Sequence, residues 1–291
     1  MSQKTYAGQP VIRLNNGIDI PALGFGVWQI EDQKVCEDTV VKAIQTGYRM
    51  IDTAAIYQNE VGVGKAIQNS GVNREELFIT SKLWVQDFGY EKAKAAFQKT
   101  LDRLQLDYLD MYLIHWPYGD FLGSWKAMEE LYHEGKIKAI GVCNFTVEKM
   151  EELKANLKIV PVVNQIELHP IFQQKELQEY NKKNNIVTQP WSPLGNGNAE
   201  LLNNASLKVI AEKHHKTVPQ VILRWHLQEG FCVIPKSVTP SRIEENFNVF
   251  DFELSGDEMD TVRSLDTNKR IFFDPKDPEW EQKMLNVVVD I

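Results

Sequence analysis

The sequence predicts an α/β protein whose parallel sheet closes into a (β/α)8 TIM barrel, with an N-terminal β-hairpin as its floor and an irregular C-terminal arm. Three observations carry that expectation. Short apolar runs alternate with amphipathic helical stretches from about residue 22 to residue 250, as repeated βαβ units do. Polar residues stand at or near the C-terminal ends of successive runs (Asp52, Lys82, His115, Asn144, Gln165, Ser192 and Lys236), and in a barrel those ends converge on one reactive face. The glycine fingerprints of open nucleotide-binding sheets are missing. Gly24 and Gly26 are followed by Gln29, Gly195 and Gly197 by Glu200, and Gly64-Lys65 by Ala66.

The elements follow in order. Residues 11–20, VIRLNNGIDI, carry Asn16-Gly17, the signal of a tight hairpin. The eight strands are expected at 22–25, 48–51, 77–81, 109–114, 138–142, 162–166, 186–190 and 231–234. Most lack in–out alternation, as strands buried on both faces do. Residues 32–46, 90–105, 121–135, 146–156 and 173–184 read as helices. In the second of these, Ala93, Ala96, Phe97, Leu101 and Leu104 draw one apolar stripe. Gly47 and Gly135 stand where helix C-terminal glycines sit, and Thr217 with Pro219 starts a helix that stops at Gly230. From about Asp266, Asp-Pro pairs with Phe272, Phe273 and Trp280 read as the arm. No linker interrupts the chain, so residues 1–291 are expected to form one domain.

With 43% hydrophobic residues over 291 positions, the chain can bury a large core without staples. Cys36, Cys143 and Cys232 are odd in number and form no CxxC pair. They read as reduced thiols of a cytoplasmic protein, not as zinc ligands. No apolar run reaches membrane-spanning length, and the first residues lack a signal-peptide core. A formal charge of −8 argues against nucleic acid or an anionic membrane as partner, but it leaves room for a local basic pocket. No metal is expected: His214-His215 has no further ligand at useful spacing, and His169 and His133 read as loop and helix-surface residues. The chain is expected to be a monomer or weak homodimer.

Asp52 and Tyr57 flank a short strand-to-helix turn, DTAAIY; Lys82 ends the third strand and His115 the fourth. A lysine ammonium beside a phenol favours the phenolate, so the phenol pKa is expected below its usual value of about 10. A carboxylate beside the ammonium keeps that cation charged. Such a group can hand a proton to a substrate oxygen and take it back, with His115 aligning the oxygen. A structural ion pair beside a packed aromatic has the same spacing, and the residues alone leave that alternative open.

Several stretches resemble the aldo-keto reductase family. GYRMIDTA (47–54), KAIGVCNF (138–145) and IPKSVTPSRIEEN (234–246) look like its three signatures, in order. GFGVW (24–28), SKLW (81–84), IHWP (114–117), VNQIELHP (163–170) and WSPLG (191–195) extend the likeness over essentially the whole chain. The resemblance implies NADPH-dependent reduction of aldehydes and ketones, with Tyr57 as general acid and Asp52, Lys82 and His115 as its partners. It implies that Asn144 and Gln165 hold the nicotinamide carboxamide, that Trp191 stacks on the ring, and that Ser192 and Leu194 touch the pyrophosphate side. Lys236, Ser237 and Arg242 are implied to receive the adenosine 2′-phosphate, and Asn246 the adenine. Charge-assisted bonds of that type contribute roughly 1.5–3 kcal/mol each, enough to prefer NADPH over NADH.

Trp28, Trp84 and Trp116 are implied as walls of the substrate pocket, with Phe88, Phe272, Phe273 and Trp280 as further candidates. The pattern is similar to microbial diketogluconate and glyoxal reductases and implies a broad range of small carbonyl substrates. Cys143 stands where the family usually has Ser, which weakens one expected hydrogen bond to the carboxamide. His115 points to carbonyl chemistry, where a Glu would suggest reduction of a steroid C=C bond. Two other readings stand beside this one: an NADPH-binding regulatory or structural barrel without turnover, and a metal-dependent barrel hydrolase. The intact four-residue group disfavours the first.

Overall fold

The computed structural model describes Tyr6 and residues 8–291. Strands β1 (Val11–Arg13) and β2 (Asp19–Pro21) pair antiparallel. Gly17 in their turn takes φ +82°, a left-handed conformation open to glycine without steric cost. Leu14 and Ile20 pack with Met50, Phe78, Met111 and Val163, each the first residue of a barrel strand, so the hairpin plugs the N-terminal mouth as expected.

Seven parallel strands then pair in sequence order: β3 Phe25–Gly26, β4 Met50–Asp52, β5 Phe78–Leu83, β6 Met111–Ile114, β7 Ile140–Cys143, β8 Val163–Glu167 and β9 Val187–Trp191. The first lies at the C-terminal end of its expected run. The eighth run, 231–234, forms a single bridge, Leu23 to Val233, instead of a full strand. It still closes the barrel. On one side Cys232 N–H donates to Thr188 O at 3.3 Å; on the other, Gly24 N–H donates to Val233 O at 2.8 Å and Gly26 N–H to Pro235 O at 3.0 Å. Pro235 has no N–H to extend the ladder.

Around this sheet lie α1 Gln33–Thr46, α2 Glu60–Asn69, α3 Tyr90–Leu104, α4 Phe121–His133, α5 Val147–Lys154 and α6 Lys175–Lys183. They are followed by α7 Ala199–Leu202, α8 Ala205–His214, α9 Val218–Gln228, α10 Pro240–Phe247, α11 Gly256–Arg263 and α12 Pro278–Leu285. The expected stripe on α3 is buried. Helix α9 opens with a capping box in which Thr217 and Gln220 each satisfy the other's backbone N–H.

Helix α2, which was not expected, carries only a short apolar stripe, Val63, Ala66 and Ile67, and glycines make its closest approaches. A Cβ on Gly64 would lie 2.5 Å from the Leu104 carbonyl oxygen, and one on Gly62 would lie 2.6 Å from that of Gln33. The arm departs from expectation too: Asp277-Pro278 is a helix start, not a breaker. The Asp277 side chain caps the Glu279 N–H, and Pro278 takes the first helical position, where a missing N–H costs nothing.

Candidate active site

The C-terminal ends of the strands open into a cleft of about 860 Å³. Asp52 closes β4, and its register partner on β5 is Thr80, two residues before Lys82. The Lys82 side chain is entirely buried. Its ammonium donates to Asp52 Oδ1 at 2.5 Å, to the Thr53 carbonyl at 2.8 Å and to Tyr57 Oη at 3.5 Å, one acceptor for each of its hydrogens. A 3₁₀ turn, Ala55–Tyr57, brings the phenol back to the rim.

The second oxygen of Asp52 accepts from Gln165 Nε2 at 2.9 Å, and the same amide donates to Gln189 Oε1 at 2.9 Å. Thr53 Oγ1 donates to Asn59 Oδ1 at 2.7 Å, and the Asn59 amide donates to Val27 O and Ile30 O. That anchors the loop carrying Trp28. Sequence reasoning missed both Gln189 and Asn59. Gln189 lies two residues before Trp191 in β9, and that alternation could have placed it in the barrel interior. Asn59 had no such signal, because the two carbonyls its amide meets, Val27 O and Ile30 O, lie about thirty residues away.

Burial pulls the Lys82 pKa down, but Asp52 and Tyr57 more than offset this and the net shift is upward. The side chain stays an ammonium. Tyr57 corrects an expectation: burial pushes its phenol up to about 12 against the downward pull of the Lys82 cation. The lysine acts with the expected sign, and desolvation outweighs it. His115 is moved well below its ordinary value by burial and then by the Lys82 charge, so its ring is neutral at pH 7. That ring lies edge-on to Tyr57 and to Trp84, with centroids 5.8 and 5.3 Å away.

On the opposite wall, Asn144 follows β7 with φ +61°. Its Nδ2 donates to His115 O at 3.1 Å, and its Oδ1 accepts from Trp191 Nε1 at 2.9 Å. Ser192 also has positive φ, +51°, and its buried Oγ takes no partner among the described residues. Leu194, Ser237 and Asn246 line the same cleft with Lys236 and Arg242. Burial alone lowers the Lys236 pKa, with no carboxylate acting against it. The loop carrying these groups runs into the N-terminus of α10, an end that favours anions. An orphaned hydroxyl, an uncompensated ammonium and a helix N-terminus together fit a phosphorylated ligand.

Trp28, Trp84 and Trp116 line the other half, with Phe272, Phe273, Trp280 and Met284 from the arm. Phe88 does not line it. It follows the turn Val85–Asp87 and is buried in the main core. His169 lies in the loop between β8 and α6 as expected, and there it is buried 3.1 Å from Glu167. Among the described residues no cluster of His, Cys, Asp and Glu could hold a metal, and no helix is long and apolar enough to cross a membrane. All three cysteines are free and buried.

Residues 22–267 match the Aldo/keto reductase family. The chain is 54% identical over 261 residues to glyoxal reductase of Bacillus subtilis (strain 168), covering 89% of this chain and 94% of that protein. It is 48% identical over 272 residues to methylglyoxal reductase DkgA of Escherichia coli (strain K12), covering 92% and 98%. The fold superposes with a TM-score of 0.88 on a mutant of Gox0644 in complex with NADPH, 43% identical, covering 92% of this chain and 98% of that one. The chain belongs to the aldo/keto reductase family.

Replacing Asp52 by Asn leaves the Lys82 ammonium buried without a counter-charge. The expected loss is about 3–5 kcal/mol of unfolding free energy, measured by urea titration at neutral pH. A loss under about 1 kcal/mol would mean that the pair does not hold the barrel rim together.

Proposed function

We propose that the protein is an NADPH-dependent carbonyl reductase that converts small aldehydes and ketones to alcohols over a broad substrate range. One observation carries this reading: a phenol at the cleft rim shares a buried ammonium with a carboxylate and a carbonyl. When bound, NADPH supplies a hydride to the carbonyl carbon. Tyr57 Oη gives its proton to the carbonyl oxygen as negative charge develops there. Lys82 stabilises the phenolate left behind, and Asp52 keeps Lys82 charged. His115, neutral, donates a hydrogen bond to the substrate oxygen without competing as the acid.

The same reading assigns the rest of the cleft. Gln165 has committed its amide N–H groups to Asp52 and Gln189, which leaves its Oε1 as an acceptor for the nicotinamide carboxamide beside Asn144. Trp191, fixed by its bond to Asn144, stacks on the ring. Ser192 and Leu194 meet the pyrophosphate, Lys236, Ser237 and Arg242 the 2′-phosphate, and Asn246 the adenine. Trp28, Trp84 and Trp116 give apolar walls, which suit compact uncharged carbonyl compounds. The glyoxal and methylglyoxal reductases among its relatives support small dicarbonyls as substrates. Cytoplasmic placement completes the reading, supported by three free thiols.

Tyr57→Phe is expected to lower kcat for aldehyde reduction by roughly 10²–10⁴-fold, followed as the loss of NADPH absorbance. Undiminished turnover would overturn the acid assignment. The pH dependence has opposite signs in the two directions. Reduction needs the protonated phenol, so with a pKa of about 12 this group leaves kcat/KM flat across neutral pH. Alcohol oxidation needs the phenolate, so its kcat/KM rises about tenfold per pH unit below that value. Oxidation that levelled off near neutral pH would mean a far lower phenol pKa. Arg242→Ala is expected to raise KM for NADPH about tenfold or more, the worth of one charge-assisted bond, while KM for NADH stays put. Equal losses with both cofactors would remove the 2′-phosphate from Arg242.

A further inference from the structure

Strand β8 ends in Glu167, two residues beyond Gln165 on the same face of the strand, and no step proposed above uses it. Its side chain is fully buried, and a buried carboxylate persists only where donors surround it. Three of its four partners come from the arm. Ile271 N–H and Phe272 N–H donate to Oε1 at 2.7 and 3.2 Å, and Arg270 Nη1 donates to Oε2 at 3.2 Å. His169 Nε2 completes the set, 3.1 Å from Oε1. Arg270 also lies over the Phe172 ring at 4.4 Å and donates to Phe273 O at 3.3 Å. So held, Phe272 meets Trp191 edge-on with centroids 5.0 Å apart, and Trp28 in the same way at 5.6 Å.

We propose that Glu167 is a positioning residue for substrate selection. Its carboxylate clamps residues 270–272 to the barrel rim, so that Phe272 stands as a wall of the carbonyl site between Trp28 and Trp191. The inference rests on the reading of this cleft as a carbonyl site. A carbonyl compound with an aromatic ring gains contact area from that wall, whereas the smallest dicarbonyls are too short to use it. The clamp is local. Farther along, the chain is held separately by a reciprocal pair between the Gln86 amide and the Val289 backbone, at 3.1 and 2.9 Å, and by Trp84 Nε1 donating to Val287 O at 3.3 Å. Losing the clamp therefore frees the segment around Phe272 and leaves the end of the arm in place.

The test uses two variants, one on each side of the contact. Glu167→Gln keeps the size but turns an amide N–H₂ toward N–H donors or the guanidinium. Arg270→Ala weakens the clamp from the arm and leaves the barrel untouched. With NADPH, kcat/KM is measured for benzaldehyde and for glyoxal, and the ratio of the two is the readout, because it does not depend on how much of a variant folds. The ratio is expected to fall about tenfold in Glu167→Gln and in the same direction, by less, in Arg270→Ala. Tryptic cleavage after Lys269 is expected to quicken in both. A ratio within about twofold of wild type in both variants overturns the clamp, however far the absolute rates drop. Wild-type protein that reduces neither aldehyde would defeat the proposed function instead. The cleavage rate then still decides, and an unchanged rate in both variants overturns the clamp.

Discussion

The site depends on one ammonium finding three acceptors where no water reaches it. Leaving the Lys82 charge unpaired at that depth would cost several kcal/mol, so a fold that buries it must supply partners from more than one strand. The register of β4 on β5 does so by setting Asp52 opposite Thr80, and the end of β4 turns the Thr53 carbonyl toward the same point. Tyr57 becomes the third acceptor because the turn after β4 is only one 3₁₀ winding long. The network then spreads sideways through Gln165 to Gln189. Four strands thus contribute to holding one charge. A polar network in a barrel interior helps specify a single packing only when every member is satisfied, and this one satisfies all three hydrogens of its cation.

Around the rim the same economy recurs with weaker groups. Asn144 joins the His115 backbone to the Trp191 indole, so the wall that carries His115 and the proposed nicotinamide platform share one side chain. Glu167 joins that platform to the arm through Phe272. The overall charge is −8, yet Lys236 meets no carboxylate that would offset its burial. A cation in a cleft with no carboxylate of its own is free to meet a ligand anion, and electrostatic focusing into the cleft strengthens that attraction.

The barrel strands were legible because their apolar runs are buried on both faces, a pattern independent of distant partners. Their edges were less so. The first strand shifts and the eighth shrinks to one bridge where Pro235 interrupts the ladder, an effect set by which neighbour each backbone group meets. Helix α2 escaped notice because its apolar stripe is short, Val63, Ala66 and Ile67, and part of its contact face is made by glycines whose value lies in the close approach of α1 and α3. The strand-end residues Asp52, Lys82, His115 and Asn144 could be read from position alone. The arm contacts of Glu167 could not, since its partners lie about a hundred residues along the chain. Phe88 and Trp116 both lie beyond strands and are both buried in the main core, but Trp116 also lines the cleft, whereas the turn that follows β5 carries Phe88 away from it.

The phenol pKa shows why such an arrangement need not behave as its charges suggest. Spacing reveals the lysine next to the tyrosine and predicts a depressed value, but it carries no information about desolvation, which here is the larger effect. A raised value does not disqualify a donor in the proposed reduction. The group must hold its proton at working pH, and the acceptor is an alkoxide in the making, a stronger base than any phenolate. What the buried site must avoid is a phenolate without a counter-charge at the moment of transfer. Lys82 meets that need, because its own pKa is driven upward by Asp52 and Tyr57 together and it arrives already oriented by Asp52 and Thr53. The ammonium then lowers the cost of the state that follows proton transfer more than it changes the resting state, which is how preorganised charge favours a reaction.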